Sequence, residues 1–196
     1  MKTTLKYILI FMIFTNCKAQ NNNQNTTQMK TFDIETFEKN KNDINEYTFI
    51  SKDSSIIEQS RWHSGYEETI KYKESHIQKY NKYYNSGTLK MSGMYFDANF
   101  NKGVWKEYDE NGKLIEETDY DAPYKFTWED ILAFIKKRKI DMDNEYLRIT
   151  RDVVDSKPFW GITYEKEGKT GLIHIGIDGY NGKIVQDKEF DYPGLD

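Results

Sequence analysis

Two kinds of apolar spacing divide the chain. From Tyr47 to Tyr120 apolar residues alternate with polar ones in short runs, whereas from Trp128 to Ile135 they recur at helical spacing. Tyr47-Thr48-Phe49-Ile50 and Ile56-Ile57-Glu58-Gln59 flank Ser51 to Ser55, whose turn chemistry predicts a hairpin. Gly65 to Tyr72 sets Tyr66, Ile70 and Tyr72 among charges, the period-2 mark of a half-exposed strand. Composition shifts at Ala122-Pro123. Thr127 then reads as an N-cap, with Glu129 and Asp130 in the first turn and Trp128, Ile131, Leu132 and Ile135 on one face. Lys136-Lys137-Arg138-Lys139 closes that helix where its dipole favours cations, a better account of the run than an anionic lipid or acidic partner. Strands are expected at Tyr146 to Arg151, Phe159 to Glu165, Gly171 to Ile177 and Lys183 to Phe190, with Ile173, Ile175 and Ile177 sharing one side. Phe32 to Asn40 has the length for one or two helical turns.

The middle of the chain repeats itself. Slid by 25 positions, Tyr80 falls on Trp105, Tyr83 on Tyr108, Gly87 on Gly112, Leu89 on Leu114 and Tyr95 on Tyr120. Each copy holds an aromatic strand, a polar turn ending in Gly, and a second strand. Asn111-Gly112 is the stronger turn signal, because Gly accepts positive φ without steric cost. The expected class is α+β, mostly antiparallel β. A hairpin-repeat sheet over 31–122 precedes a helix-plus-antiparallel-meander unit over 123–196.

Gly103-Val104-Trp105, Tyr108 and Asn111-Gly112-Lys113-Leu114 resemble the MORN-repeat variant of the bacterial YwqK-type antitoxin family, with its motif of roughly G-x-W-x-x-Y-x-x-N-G-x-L. The second copy matches at every one of these places. The first has Gln78, Tyr80 and Ser86 where the motif has Gly, Trp and Asn, and Gly65 to Tyr72 reads as a degenerate earlier copy. The resemblance implies β-hairpins in one elongated, twisted sheet, and a role in binding and neutralising a partner protein. The tail from Thr127 to Gln186 is similar to a PepSY-like domain. The helix, Phe159-Trp160-Gly161-Ile162-Thr163-Tyr164 and the closing I-D-x-x-x-G-K-I run from Ile177 to Ile184 carry that similarity. It implies an exported interaction module and supplies no chemistry.

Composition narrows the address more than the activity. Of 196 residues, 37% are hydrophobic, 31% charged and 15% aromatic, which suits a small core built from Tyr and Trp. A formal charge of −4 argues against a nucleic-acid partner, which requires a basic footprint. Lys2 and Lys6 ahead of a short apolar run ending at Phe14 predict a signal peptide over 1–16, too short to span a bilayer. Cys17, the single cysteine, follows it. Phe14-Thr15-Asn16-Cys17 resembles a lipobox with Asn16 at the place of a small residue, so Cys17 is the expected lipidation site. Ordinary cleavage after Ala19 is the competing reading. Residues 17–30 form a polar tether. The protein is expected in the bacterial cell envelope, anchored at Cys17, or otherwise periplasmic or secreted, and free of disulfides.

No constellation points to catalysis. His63, His76 and His174 lie far apart, without the clustering a zinc site requires. Glu67/Glu68 and Glu116/Glu117 are adjacent on strands and so face opposite ways, unlike paired glycosidase acids. Asp97-Ala98-Asn99 with Asn101 lacks the spacing and closing Glu of an EF-hand. No cofactor or metal is expected. Aromatic rows on a single-layer sheet are the remaining candidate, because one of its faces stays uncovered and rings there make an interaction surface. Tyr84, Tyr95, Phe96, Phe100, Trp105 and Tyr108 are the expected partner contacts. The expected function is non-enzymatic: binding another protein, a toxin in the immunity or antitoxin version, by steric occlusion. A cell-envelope scaffold is the alternative, and a hydrolase ranks last.

Overall fold

The computed structural model describes residues 30–97, 100–165 and 171–191. The expected signal peptide, Cys17 and all of the tether before Lys30 lie outside the described residues. Among the described residues no helix is long and apolar enough to cross a membrane. Helix α1 (Ile34–Asn40) leads into seven strands: β1 (Glu46–Ile50), β2 (Ile56–Trp62), β3 (Gly65–Lys71), β4 (Ile77–Tyr83), β5 (Leu89–Phe96), β6 (Phe100–Tyr108) and β7 (Leu114–Asp119). They form one sheet in sequence order, every neighbouring pair antiparallel. Helix α2 (Trp128–Arg138) follows. Strands β8 (Arg148–Val154), β9 (Lys157–Glu165), β10 (Leu172–Asp178) and β11 (Ile184–Phe190) then make a second antiparallel sheet in the order β11-β10-β9-β8. The architecture is α+β and mostly antiparallel β, as the alternation predicts.

Turn chemistry sets the hairpins. In the first repeat the Tyr84 amide donates to Thr88 O and the Gly87 amide to Tyr84 O; in the second, Asp109 donates to Lys113 O and Gly112 to Asp109 O, all at 2.9 Å. Gly87 and Gly112 sit at φ +84° and +82°, where a Cβ is penalised. The β1–β2 turn has the same two bonds, from Ser51 to Ser55 O and from Ser54 to Ser51 O, with Ser54 at φ +66°. That hairpin therefore shares the repeat turn without its glycine. Helix α2 starts as the sequence predicts, with Thr127 and Asp130 in a reciprocal capping box and Lys136, Lys137 and Arg138 in the last turn.

Two elements cover one face of the seven-stranded sheet. Phe32 stacks on Tyr66 at 4.5 Å, and Phe37 of α1 meets Tyr66 edge-on at 5.5 Å; with Tyr83 and Leu89 these form a small core. The Phe32 amide donates to Gly87 O at 2.9 Å, which ties this strap to the first repeat turn. Next to it lies a buried carboxylate. Glu68 accepts hydrogen bonds from Lys30 Nζ at 2.5 Å, Gln59 Nε2 at 2.9 Å, Asn81 Nδ2 at 3.0 Å and Tyr83 Oη at 3.3 Å. Burial alone raises its pKa, but the donors, Lys30 foremost, outweigh it and hold the carboxyl below its ordinary value.

The larger core joins the two sheets. Ile131 and Ile135 of α2 cover Ile149, Ile162, Ile175 and Ile177, which share one face of the second sheet. Phe96 and Phe100, at the tip of the β5–β6 hairpin, stack at 5.4 Å and enter the same core against Trp128 and Trp160. Both are buried. They are therefore core residues, and the expectation that they contact a partner is corrected. The sheets divide near the shift at Ala122-Pro123, but the buried core continues across it.

Arg151 of β8 pins that junction. Its guanidinium lies 5.0 Å from the Phe100 ring centre, 4.9 Å from Tyr124 and 5.6 Å from Trp160. Nη1 donates to Asp121 Oδ1 at 2.6 Å, and Nη2 donates to the Asn101 carbonyl. Only 5% of the Arg151 side chain is exposed, against 38% of Asp121. Burial raises the Asp121 pKa, yet the Arg151 hydrogen bond, the Gly103 amide and Lys102 bring it below the usual carboxylate range.

Two outcomes are expected. Arg151→Met removes the Nη1 donor of Asp121, which keeps Lys102 and the Gly103 amide, and the Nη2 donor of the Asn101 carbonyl; because Asp121 is also partly solvated, the loss should be about 2–3 kcal/mol, below the full cost of a buried half-pair. It should appear as a melting temperature lower by roughly 4–12 °C in calorimetry. Glu68 has a depressed folded pKa, so its contribution is complete above its ordinary value of 4.5 and disappears as pH falls through the lower folded value. Glu68→Gln should therefore cost about 1–3 kcal/mol at neutral pH. Its difference from wild type should shrink in urea melts taken progressively below pH 4.5.

Candidate recognition face

Alternation along the strands decides which rings face outward. Tyr66, Glu68, Asn81, Tyr83, Phe96 and Phe100 belong to the covered face, since each is a register partner of another of them or stands two residues away on the same strand. Tyr80, Tyr95 and Trp105 belong to the other. Tyr120, immediately after β7, continues their row: Trp105 and Tyr120 meet edge-on at 6.2 Å. None of these four rings joins either buried cluster.

The repeat builds this row. Tyr80 and Trp105 stack at 6.0 Å with 29° between their planes. Tyr80 meets Tyr95 edge-on at 6.2 Å and 77°, and Trp105 meets Tyr120 at 6.2 Å and 74°. The two copies thus repeat one ring geometry. Gly93 makes room for it: a methyl group built there would overlap the Trp105 ring, so the indole lies flat on the sheet. Trp105 Nε1 donates to Met94 O at 2.8 Å, which satisfies its polar edge.

Acids rim the row. Glu67 and Lys82 pair at 3.1 Å, and Lys71 and Glu58 at 2.5 Å. A polar hollow of about 360 Å³ beside them is lined by Glu46, Thr48, Glu58, Ser60, Glu67 and Thr69. Burial, then the Glu67 carboxylate that accepts its hydrogen bond, push the Tyr80 hydroxyl well above the ordinary phenol value. Tyr80 is a neutral donor at every physiological pH. Tyr95 Oη donates to Gln78 Oε1 at 3.0 Å.

The six expected contacts are distributed over both faces. Tyr95 and Trp105 lie on the open face. Phe96 and Phe100 are in the inter-sheet core. Tyr108 packs half-buried against the Phe32 and Tyr83 cluster, on the covered face. Tyr84 stands at the turn, where its hydroxyl donates to Tyr108 O at 2.8 Å and Lys90 lies 5.3 Å from its ring centre. Tyr80 and Tyr120 complete the row instead. The 25-residue offset was sufficient to identify them, since it pairs Tyr80 with Trp105 and Tyr120 with Tyr95.

Glu67 faces outward and Glu68 inward; Glu117 pairs with Lys106 on the covered face at 3.1 Å while Glu116 faces the other way. Neither adjacent acid pair can converge on one substrate. His174 Nδ1 lies 2.9 Å from Thr163 Oγ1 in the second sheet, remote from His63 and His76 in sequence and sheet position. Among the described residues no three His, Cys, Asp or Glu side chains are grouped to hold a metal ion. Comparison with known proteins found no matching family model, no matching curated protein and no matching solved structure.

Gly93→Ala is the direct test of the flat indole. The added methyl should lift Trp105 off β5 at a cost of about 1–3 kcal/mol. The expected readouts are a lower melting temperature and loss of a near-ultraviolet circular dichroism band that Trp105→Phe also removes.

Proposed function

We propose that this protein is an exported, lipid-anchored binding module of the bacterial cell envelope, and that it acts by covering a partner protein with the open aromatic face of its repeat sheet. The observation that carries this reading is the Tyr95, Tyr80, Trp105 and Tyr120 row, held in register by the repeat and flanked by acids. Aromatic side chains that are already ordered and partly desolvated supply contact area at low entropic cost and dominate interface energetics. The MORN-like and PepSY-like resemblances enter as part of the same proposal, with an immunity or antitoxin role as its specific form. Inhibition would then be steric, with no residue of this chain undergoing reaction.

The test is capture from envelope extracts by the immobilised protein, with variants to locate the contact. Wild type should retain a stoichiometric partner. Trp105→Ala and Tyr120→Ala should each weaken binding by about 2 kcal/mol, roughly 30-fold, without altering the far-ultraviolet spectrum. Equal retention by wild type and both variants would remove the open face from the account. For the anchor, labelled palmitate should be incorporated by wild type and lost in Cys17→Ala.

A further inference from the structure

The two edges of the seven-stranded sheet differ. On β1, Asn42 Oδ1 accepts the Glu46 amide at 2.8 Å and the Asn42 amide donates to Glu46 O at 2.8 Å. Asn45 O, one residue earlier, accepts from Arg61 of β2, so the Glu46 groups point outward and Asn42 caps them. β7 has no such cap. The Tyr120 amide donates inward to Gly103 O of β6 at 3.0 Å. In the two-residue alternation of an antiparallel ladder, Thr118 and Glu116 then also face β6, while the amides of Glu117 and Asp119 face outward. Neither amide has a partner among the described residues. An uncapped edge is a template for an added strand.

Charge selects what can pair there. β7 reads Leu114-Ile115-Glu116-Glu117-Thr118-Asp119, with three acids and no base. Lys106 offsets Glu117, but among the described residues no cation pairs with Glu116 or with Glu107 opposite it. Two copies meeting β7 to β7 would set acid against acid, which is unfavourable across strands. A strand with Lys or Arg at alternate positions would instead bring cations beside Glu116 and Glu107. The next position on that face lies by Trp105 and Tyr120, whose rings favour an ammonium or guanidinium.

We propose that β7 accepts an extended, lysine- or arginine-bearing segment of a partner protein as an eighth strand. This rests on the reading of the open face as the partner surface and adds the chemistry of what meets it. The test is titration of the folded full chain with a short peptide alternating lysine and threonine, followed by residue-resolved amide hydrogen exchange. Exchange at Glu117 and Asp119 is expected to slow by about tenfold or more, and the matching glutamate–threonine peptide should leave it unchanged. Glu117→Pro removes one outward amide and should weaken the peptide about tenfold. Should that variant fold poorly, Glu116→Lys with Glu117→Lys is expected to reverse the preference toward the acidic peptide.

Equal binding of both peptides, protection confined to β1, or no binding by wild type would overturn the proposal. Binding that protects no β7 amide and is lost in Trp105→Ala would overturn the edge assignment while the open-face reading stands. Conversely, protection of Glu117 and Asp119 by the basic peptide supports the edge even where envelope extracts yield no partner for the face.

Discussion

A single-layer sheet has two faces, and the described residues cover only one of them. Every other feature of the seven-stranded sheet follows from how that asymmetry is managed. The strap at Phe32, helix α1 and the C-terminal unit all pack on the side of Tyr66, Tyr83, Phe96 and Phe100. The opposite side is stabilised from within, by rings that stack on each other and on the backbone of Gly93 and by Glu–Lys pairs between neighbouring strands. A face built in this way is ordered before it meets anything, which lowers the entropic cost of binding.

The covered side depends on polar groups placed where apolar ones would be expected. Glu68 is buried among four donors, and Arg151 lies among three aromatic rings with Asp121 at its end. Each is favourable only while its partners stay in place, because an uncompensated buried charge is costly. They therefore tie together segments distant in sequence. Glu68 joins Lys30 and β2 to β3 and β4, and Arg151 joins β8 to Asp121 and the β5–β6 tip. Tyr124, whose hydroxyl burial pushes up to about 12, closes the Arg151 box and donates to Asp152 O at 3.0 Å. The two halves consequently share one core at Phe96, Phe100, Trp128 and Trp160, although their sheets are separate.

Much of this was legible in the residues, and the errors are instructive. Strand positions, the Ser51–Ser55 hairpin and the Thr127 helix start could be read because each rests on local chemistry: alternation, turn residues and a cap. The contact residues were read less well. Tyr95 and Phe96 are adjacent on a strand and so point to opposite faces; the same rule that separated Glu67 from Glu68 should have separated them. Phe100 and Tyr108 share a strand with Trp105 but stand five and three positions from it, so the same alternation places them on the other face.

The sequence by itself determined the repeat, its glycine turns, the antiparallel class and the identity of the ring-bearing positions, since all of these depend on contacts between residues near one another in the chain. Which face the C-terminal unit would cover was decided only by the tertiary structure. That choice rests on Phe96, Phe100, Arg151 and Trp160 meeting across as many as 64 positions, and no local pattern encodes a contact between segments so far apart.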